Sequence, residues 1–133
     1  MTVGILLITH AELGHSLLHA ARSILAAEPA LAEAIGVPCD IEPDVIFEQA
    51  LAACRRLDSG DGVLVLTDLY GSTPSNIAGR LAAHHNVLVL AGVNLPMLVR
   101  ALNYRASPLN ELGKKALHGA RDGVVMTTHK EAS

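Results

Sequence analysis

Of the seven histidines in the 133-residue chain, His10 has the position best suited to chemistry. It follows the apolar run Val3-Gly4-Ile5-Leu6-Leu7-Ile8-Thr9 and stands just before a helical pattern that opens near Glu12. That puts an imidazole at the carboxyl end of a buried strand, the edge of an open α/β sheet where loops and helix N-termini converge on ligands. A second run, Val63-Leu64-Val65-Leu66-Thr67, leads into Asp68 and then a small polar turn, Leu69-Tyr70-Gly71-Ser72-Thr73-Pro74-Ser75-Asn76. Two readings of this turn compete. In the plainer one Asp68 is a turn former, Thr73 or Ser72 caps a helix, and Pro74 fits the first helical turn, where its missing N–H costs nothing. In the chemical one Asp68 accepts a hydrogen bond from one ring nitrogen of His10 and fixes the tautomer, so the other nitrogen presents its lone pair as a nucleophile. Backbone N–H groups and a hydroxyl from the same loop then form an anion cradle at a helix N-terminus, suited to a phosphoryl group. Histidine, carboxylate and cradle together point to phosphorylation of His10.

Positioning those residues requires strands and helices that alternate. Apolar or β-branched runs predict strands over residues 3–9, near Gly36-Val37-Pro38-Cys39, from Gly62 to Thr67 and from Asn86 to Ala91. Between them, Leu13, Leu17, Ala20, Ala21 and Ile24 recur at three-and-four spacing, and further helices are predicted from about Asp44 to Leu57 and Pro74 to Ala83. Beyond the fourth strand, Asn94 to Tyr104 and Ser107 to Leu117 read as helices, and Gly123-Val124-Val125-Met126-Thr127 as a short final strand. Short connections imply parallel strands, right-handed crossovers and all strand carboxyl ends on one edge. The predicted fold is α/β: an open, mostly parallel sheet of four strands covered by helices on both faces, in one domain spanning 1–133.

Composition narrows the function. The residues are 50% hydrophobic but only 2% aromatic, so the core is built from Leu, Val, Ile and Ala packed between layers, as helices on a parallel sheet require. A formal charge of -3 with no basic cluster argues against a nucleic-acid partner. Cys39 and Cys54 are isolated, without CxxC spacing, and signal neither a disulfide framework nor a zinc site. The first apolar run is too short to span a bilayer and lacks the cationic start and cleavage site of a signal peptide, which predicts a soluble, cytoplasmic protein. Neither a Walker motif nor a dinucleotide fingerprint nor an acidic metal cluster occurs. No metal or cofactor is therefore expected, and the pattern suits a carrier better than an ATP-dependent kinase.

The chain resembles the EIIA component of the mannose-type (mannose/fructose/sorbose) family of the phosphoenolpyruvate:sugar phosphotransferase system over essentially its whole length. The resemblance rests on Gly4-Ile5-Leu6-Leu7-Ile8-Thr9-His10-Ala11, on Asp68-Leu69-Tyr70-Gly71-Ser72-Thr73-Pro74-Ser75-Asn76, and on Gly92-Val93-Asn94-Leu95-Pro96-Met97-Leu98 after the fourth strand. Each is weak alone; three in this order and spacing are specific. The resemblance implies that His10 takes phosphate from the histidine carrier HPr and passes it to a cysteine or histidine of an EIIB component. Asp68 would orient the imidazole, Thr73 would contact the phosphoryl group, and Gly71 and Ser72 would supply the tight turn. Family members often show two glycines before that hydroxyl, where this chain has Gly71-Ser72. Membrane contact would be indirect, through transporter partners. The resemblance further implies that the terminal strand is antiparallel and exchanged with a neighbour in a homodimer, a low-cost route to symmetric dimers. Two alternatives are a phosphoryl-donor subunit for dihydroxyacetone kinase and a non-enzymatic flavodoxin-like module for a small ligand.

The remaining polar groups have plainer readings. Glu12, His15 and His19 share one face of the first helix, off its apolar stripe, and read as a solvated face rather than metal ligands. His84 and His85 lie near a helix C-terminus, where the dipole favours protonated imidazole, and read as structural rather than catalytic. Asn94 suits a helix cap, with Leu95 and Met97 read as core.

Overall fold

Strand and helix alternate through the four strands, and two consecutive helices follow. The computed structural model describes residues 2–129. In order these form β1 (Gly4–His10), α1 (Leu13–Leu25), β2 (Ala32–Val37), α2 (Pro43–Leu57), β3 (Val63–Thr67), α3 (Thr73–Leu81), β4 (Val87–Ala91), α4 (Leu95–Asn103) and α5 (Leu109–Asp122). The four strands make one parallel sheet in the order β2-β1-β3-β4. β1 and β3 are central with both faces covered, which is why their sequences are continuous apolar runs without polar alternation. Leu6, Ile8, Val63 and Val65 pack with α2 and α3 on one face, while Ile5, Leu7, Leu64 and Leu66 pack with α1, α4 and α5 on the other. Each such Leu or Ile taken out of water contributes roughly 1.5–3 kcal/mol.

The strand order creates the site. From β1 the chain runs through α1 to β2 on one side, then crosses through α2 to β3 on the other, and α1 and α2 lie on opposite faces. The order therefore reverses between β1 and β3, and a crevice opens at their carboxyl ends. His10 closes β1 and Asp68 directly follows β3.

Two sequence expectations are corrected. The buried side of α1 runs through Gly14, Leu18 and Ala21, whereas Leu13 and Ile24 of the predicted stripe are 44% and 57% exposed. Gly14 sets this rotation: its N–H donates to Thr9 Oγ1 at 2.7 Å, and a side chain there would meet that oxygen at 3.0 Å. Helix α5 continues to Asp122, past the predicted Leu117, because Gly119 lets it lie against α4, where a Cβ would stand 2.8 Å from Arg100 Cβ. Residues 124–128 form no strand within the chain, and Val124, Val125 and Met126 are exposed. A run this short is held only by a sheet edge, and it pairs with neither edge of its own sheet.

Candidate functional site

A single carboxylate oxygen holds His10 twice. Asp68 Oδ2 accepts the His10 backbone N–H at 2.9 Å and lies 2.8 Å from His10 Nδ1. Asp68 Oδ1 accepts the Leu69 N–H at 2.9 Å. Burial alone would push the Asp68 carboxyl up, but these three hydrogen bonds outweigh it and hold the group below its ordinary range. An ionised carboxylate only accepts hydrogen bonds, so Nδ1 is the protonated ring nitrogen and Nε2 carries the lone pair. The Asp68 side chain is 11% exposed and that of His10 51%, so the carboxylate is sheltered while the ring it steers reaches solvent.

The backbone around His10 is equally constrained. Ala11 adopts a left-handed φ of 45°, a conformation that costs a non-glycine residue about 1–2 kcal/mol. Its N–H donates to the Val37 carbonyl at 3.2 Å. Its carbonyl sits where a side chain on Gly36 would be, so β2 must carry glycine there for the turn after His10 to form.

His10 shares a cleft of about 450 Å³ with Val37, Cys39, Ile41, Thr73 and Pro74. Thr73 opens α3, and Pro74 sits in its first turn as expected. Neither Thr73 nor Ser72 caps that helix with a side chain. Ser72 occupies the cap position, yet its hydroxyl donates to the Leu69 carbonyl at 2.6 Å and its N–H to the same oxygen at 3.2 Å. Gly71 makes this turn with a φ of +86°. The first-turn N–H groups of α3 are thus left without a side-chain acceptor beside the imidazole, the arrangement that favours an anion. His10, Asp68 and Thr73 are brought together; Ser72 spends both its donors inside the turn.

The other polar groups singled out from sequence lie outside this cleft or line it without a hydrogen bond to His10. His15 Nδ1 stands 3.6 Å from Glu12 in an exposed i,i+3 contact, and among the described residues no group of three His, Cys, Asp or Glu side chains is placed to hold a metal. Cys39 is exposed and Cys54 buried, its thiol pushed up to about 11 by burial and by nearby Asp58. Asn94 caps α4 by accepting the Met97 N–H at 2.9 Å, and Met97 is core. Among the described residues no helix is long and apolar enough to cross a membrane. Sequence reading missed a second pair, His85 Nε2 with Asp58 Oδ2 at 2.7 Å. Its only local signal was Asp58-Ser59-Gly60, an Asp whose Oδ1 accepts the Gly60 and Gly62 N–H groups at 2.7 and 3.0 Å.

Comparison with known proteins identifies the family. The family model EIIA-man, described as PTS system fructose IIA component, matches residues 4–116. The PTS system mannose-specific EIIAB component of Escherichia coli (strain K12) is 33% identical over 127 residues, which span 93% of this chain and 39% of that longer protein. In structure, the chain is similar to the mannose/sorbose specific IIA subunit of the phosphotransferase system from Enterococcus faecalis, with a TM-score of 0.86, 23% identity and 96% of each chain covered. It is likewise similar to phosphotransferase system component EIIA from Streptococcus agalactiae, with a TM-score of 0.84, 22% identity, and 93% of this chain and 96% of that one covered. The chain therefore belongs to the mannose-type family of phosphotransferase-system EIIA components.

Proposed function

We propose that this protein is a phosphoryl carrier: Nε2 of His10 accepts phosphate from an HPr-like phosphocarrier and passes it to an EIIB component. The observation that carries the reading is the 2.8 Å contact between His10 Nδ1 and Asp68 at the strand-order reversal, with the ring in a cleft beside the start of α3. In the accepting step the phosphorus–nitrogen bond of the donor breaks as a bond forms to Nε2, whose lone pair supplies the electrons. The Nδ1 proton stays on the ring, facing Asp68, and the carboxylate offsets positive charge on the imidazole. The N–H groups of the first turn of α3 and the Thr73 hydroxyl receive the phosphoryl oxygens, while Gly71 and Ser72 shape the turn. Passing the group on is the same step reversed toward a new acceptor.

Such a carrier touches phosphorylated proteins and never the sugar. Specificity belongs to the downstream components, and the route serves sugar uptake or its regulation in the cytoplasm. Membership of the mannose-type family favours this over a donor subunit for dihydroxyacetone kinase.

The same reading includes a homodimer. Strand β4 is an outer strand, half-buried along its length, flanked by a cavity of about 280 Å³ that Leu88, Leu90, Gly113 and Leu117 line. The exposed Val124, Val125 and Met126 are suited to add an antiparallel strand to that edge of a second copy. Light scattering after size exclusion is expected to give twice the chain mass and Val125→Asp to give monomer; wild-type monomer at micromolar concentration would refute the exchange.

Incubation with phosphoenolpyruvate, Enzyme I and HPr tests the carrier reading. An acid-labile adduct of one phosphate is expected on wild type and none on His10→Ala. Undiminished labelling of the variant would remove His10 from the chemistry.

A further inference from the structure

The loop between β4 and α4 carries the motif Gly92-Val93-Asn94-Leu95-Pro96-Met97-Leu98, to which phosphoryl transfer assigns no task. Its geometry supplies one. The β3–β4 ladder ends with Thr67 opposite Ala91, but the hydrogen bonding continues past it. The Val93 N–H donates to the Thr67 carbonyl at 3.0 Å and the Gly92 N–H to the Asp68 carbonyl at 3.1 Å. The far side of the loop is anchored as well. Asn94 Oδ1 accepts the Met97 N–H at 2.9 Å, Asn94 Nδ2 donates to the Ala120 carbonyl at 3.1 Å, and Met97 is 1% exposed. Helices α4 and α5 thus hold a loop that grips the backbone of the residue orienting His10.

Gly92 is the position that makes the grip work. Its φ is +87°, which L side chains rarely adopt, yet a Cβ placed there would meet nothing within 4 Å. Glycine is required by conformation and not by space. We propose that Gly92 is a positioning residue for phosphoryl transfer: its left-handed backbone aims an N–H at the Asp68 carbonyl and so locks the carboxylate where it fixes the imidazole tautomer. With that latch released, the Asp68 peptide can rotate, and a carboxylate oxygen that must meet both the N–H and the Nδ1 of His10 no longer reaches both at once.

This rests on His10 as the phosphoryl acceptor, so the test reads two quantities, one of which needs no phosphate. Long-range nitrogen NMR of the full chain gives the His10 tautomer, and single-turnover transfer from phosphorylated HPr gives the rate. Gly92→Ala fills no occupied space but strains the backbone. It is expected to convert a predominantly Nδ1–H imidazole into a tautomer mixture and to slow transfer roughly tenfold. Gly92→Asn, which tolerates the left-handed region, is expected to restore most of both. Should Gly92→Ala fail to fold, replacing the Gly92 N–H by an ester oxygen keeps glycine's freedom, and the same two changes are expected. An unchanged tautomer in the folded variant, whatever the rate, would overturn the proposal. Absence of phosphate on wild-type His10 would sink the carrier reading instead, and the tautomer comparison would still decide whether Gly92 holds Asp68.

Discussion

Two histidine–carboxylate pairs stand at opposite edges of the same sheet. His10 and Asp68 meet at 2.8 Å where β1 and β3 end, and His85 and Asp58 at 2.7 Å where β3 and β4 begin. In each, the carboxylate also accepts two backbone N–H groups and titrates below its ordinary range, although burial pushes the other way. The surroundings differ. The His10 side chain is 51% exposed in a cleft beside the start of α3, while His85 is 19% exposed and closes the loop that enters β3. They differ too in the bonded nitrogen, Nδ1 in His10 and Nε2 in His85. A carboxylate-held imidazole is therefore a common structural tie. Under the carrier reading, what sets His10 apart is its place at the strand-order reversal, in a cleft that the start of α3 also lines.

The largest expected separation between the pairs lies in labelling. His10→Gln should abolish the acid-labile phosphate adduct, and His85→Gln should leave its stoichiometry at wild-type level; loss of labelling in a folded His85→Gln protein would erase the distinction. Next come the carboxylates. Asp68→Ala is expected to slow phosphoryl exchange by about 100-fold through loss of tautomer and position, with circular dichroism unchanged. Asp58→Ala should leave exchange within about twofold but lower stability by about 1–3 kcal/mol in denaturant melts, since two backbone N–H groups and His85 lose their acceptor.

Acid sharpens the contrast further. Both carboxyls titrate lower folded than unfolded, so each contributes stability that is complete above about pH 4 and lost as pH falls through the depressed folded value. Asp58→Asn should thus shrink the acid-induced fall in stability, as read from urea melts between about pH 5 and pH 2. The smallest effect concerns a hydroxyl at the reactive edge. Thr67 Oγ1 is buried without a hydrogen-bond partner, so Thr67→Val is expected to be neutral or stabilising, by up to about 1 kcal/mol in thermal melts.

Legibility from sequence followed how local each constraint is. The central strands were readable because burial on both faces writes a continuous apolar run, as in Ile5-Leu6-Leu7-Ile8 and Val63-Leu64-Val65-Leu66. His10 and Asp68 were readable because each borders such a run, and the parallel topology brings those ends together. The rotation of α1 was not, since the contact between Gly14 and Thr9 that sets it depends on how helix and strand approach. Nor was the tie between His85 and Asp58, whose members are 27 residues apart and in unrelated loops. Ser72 looked like a cap by type, but the Leu69 carbonyl took its hydroxyl first. The role of Gly92 emerges only from its φ and from the carbonyl its N–H meets.

The central claim is that Asp68 commits Nδ1 and leaves Nε2 to take the phosphate. Phosphorus and nitrogen NMR of the chain after phosphorylation through Enzyme I and HPr tests it directly. A single phosphate coupled to Nε2 of His10, with Nδ1 still protonated, is the expected result. Phosphate on Nδ1, or on any other residue, would contradict it.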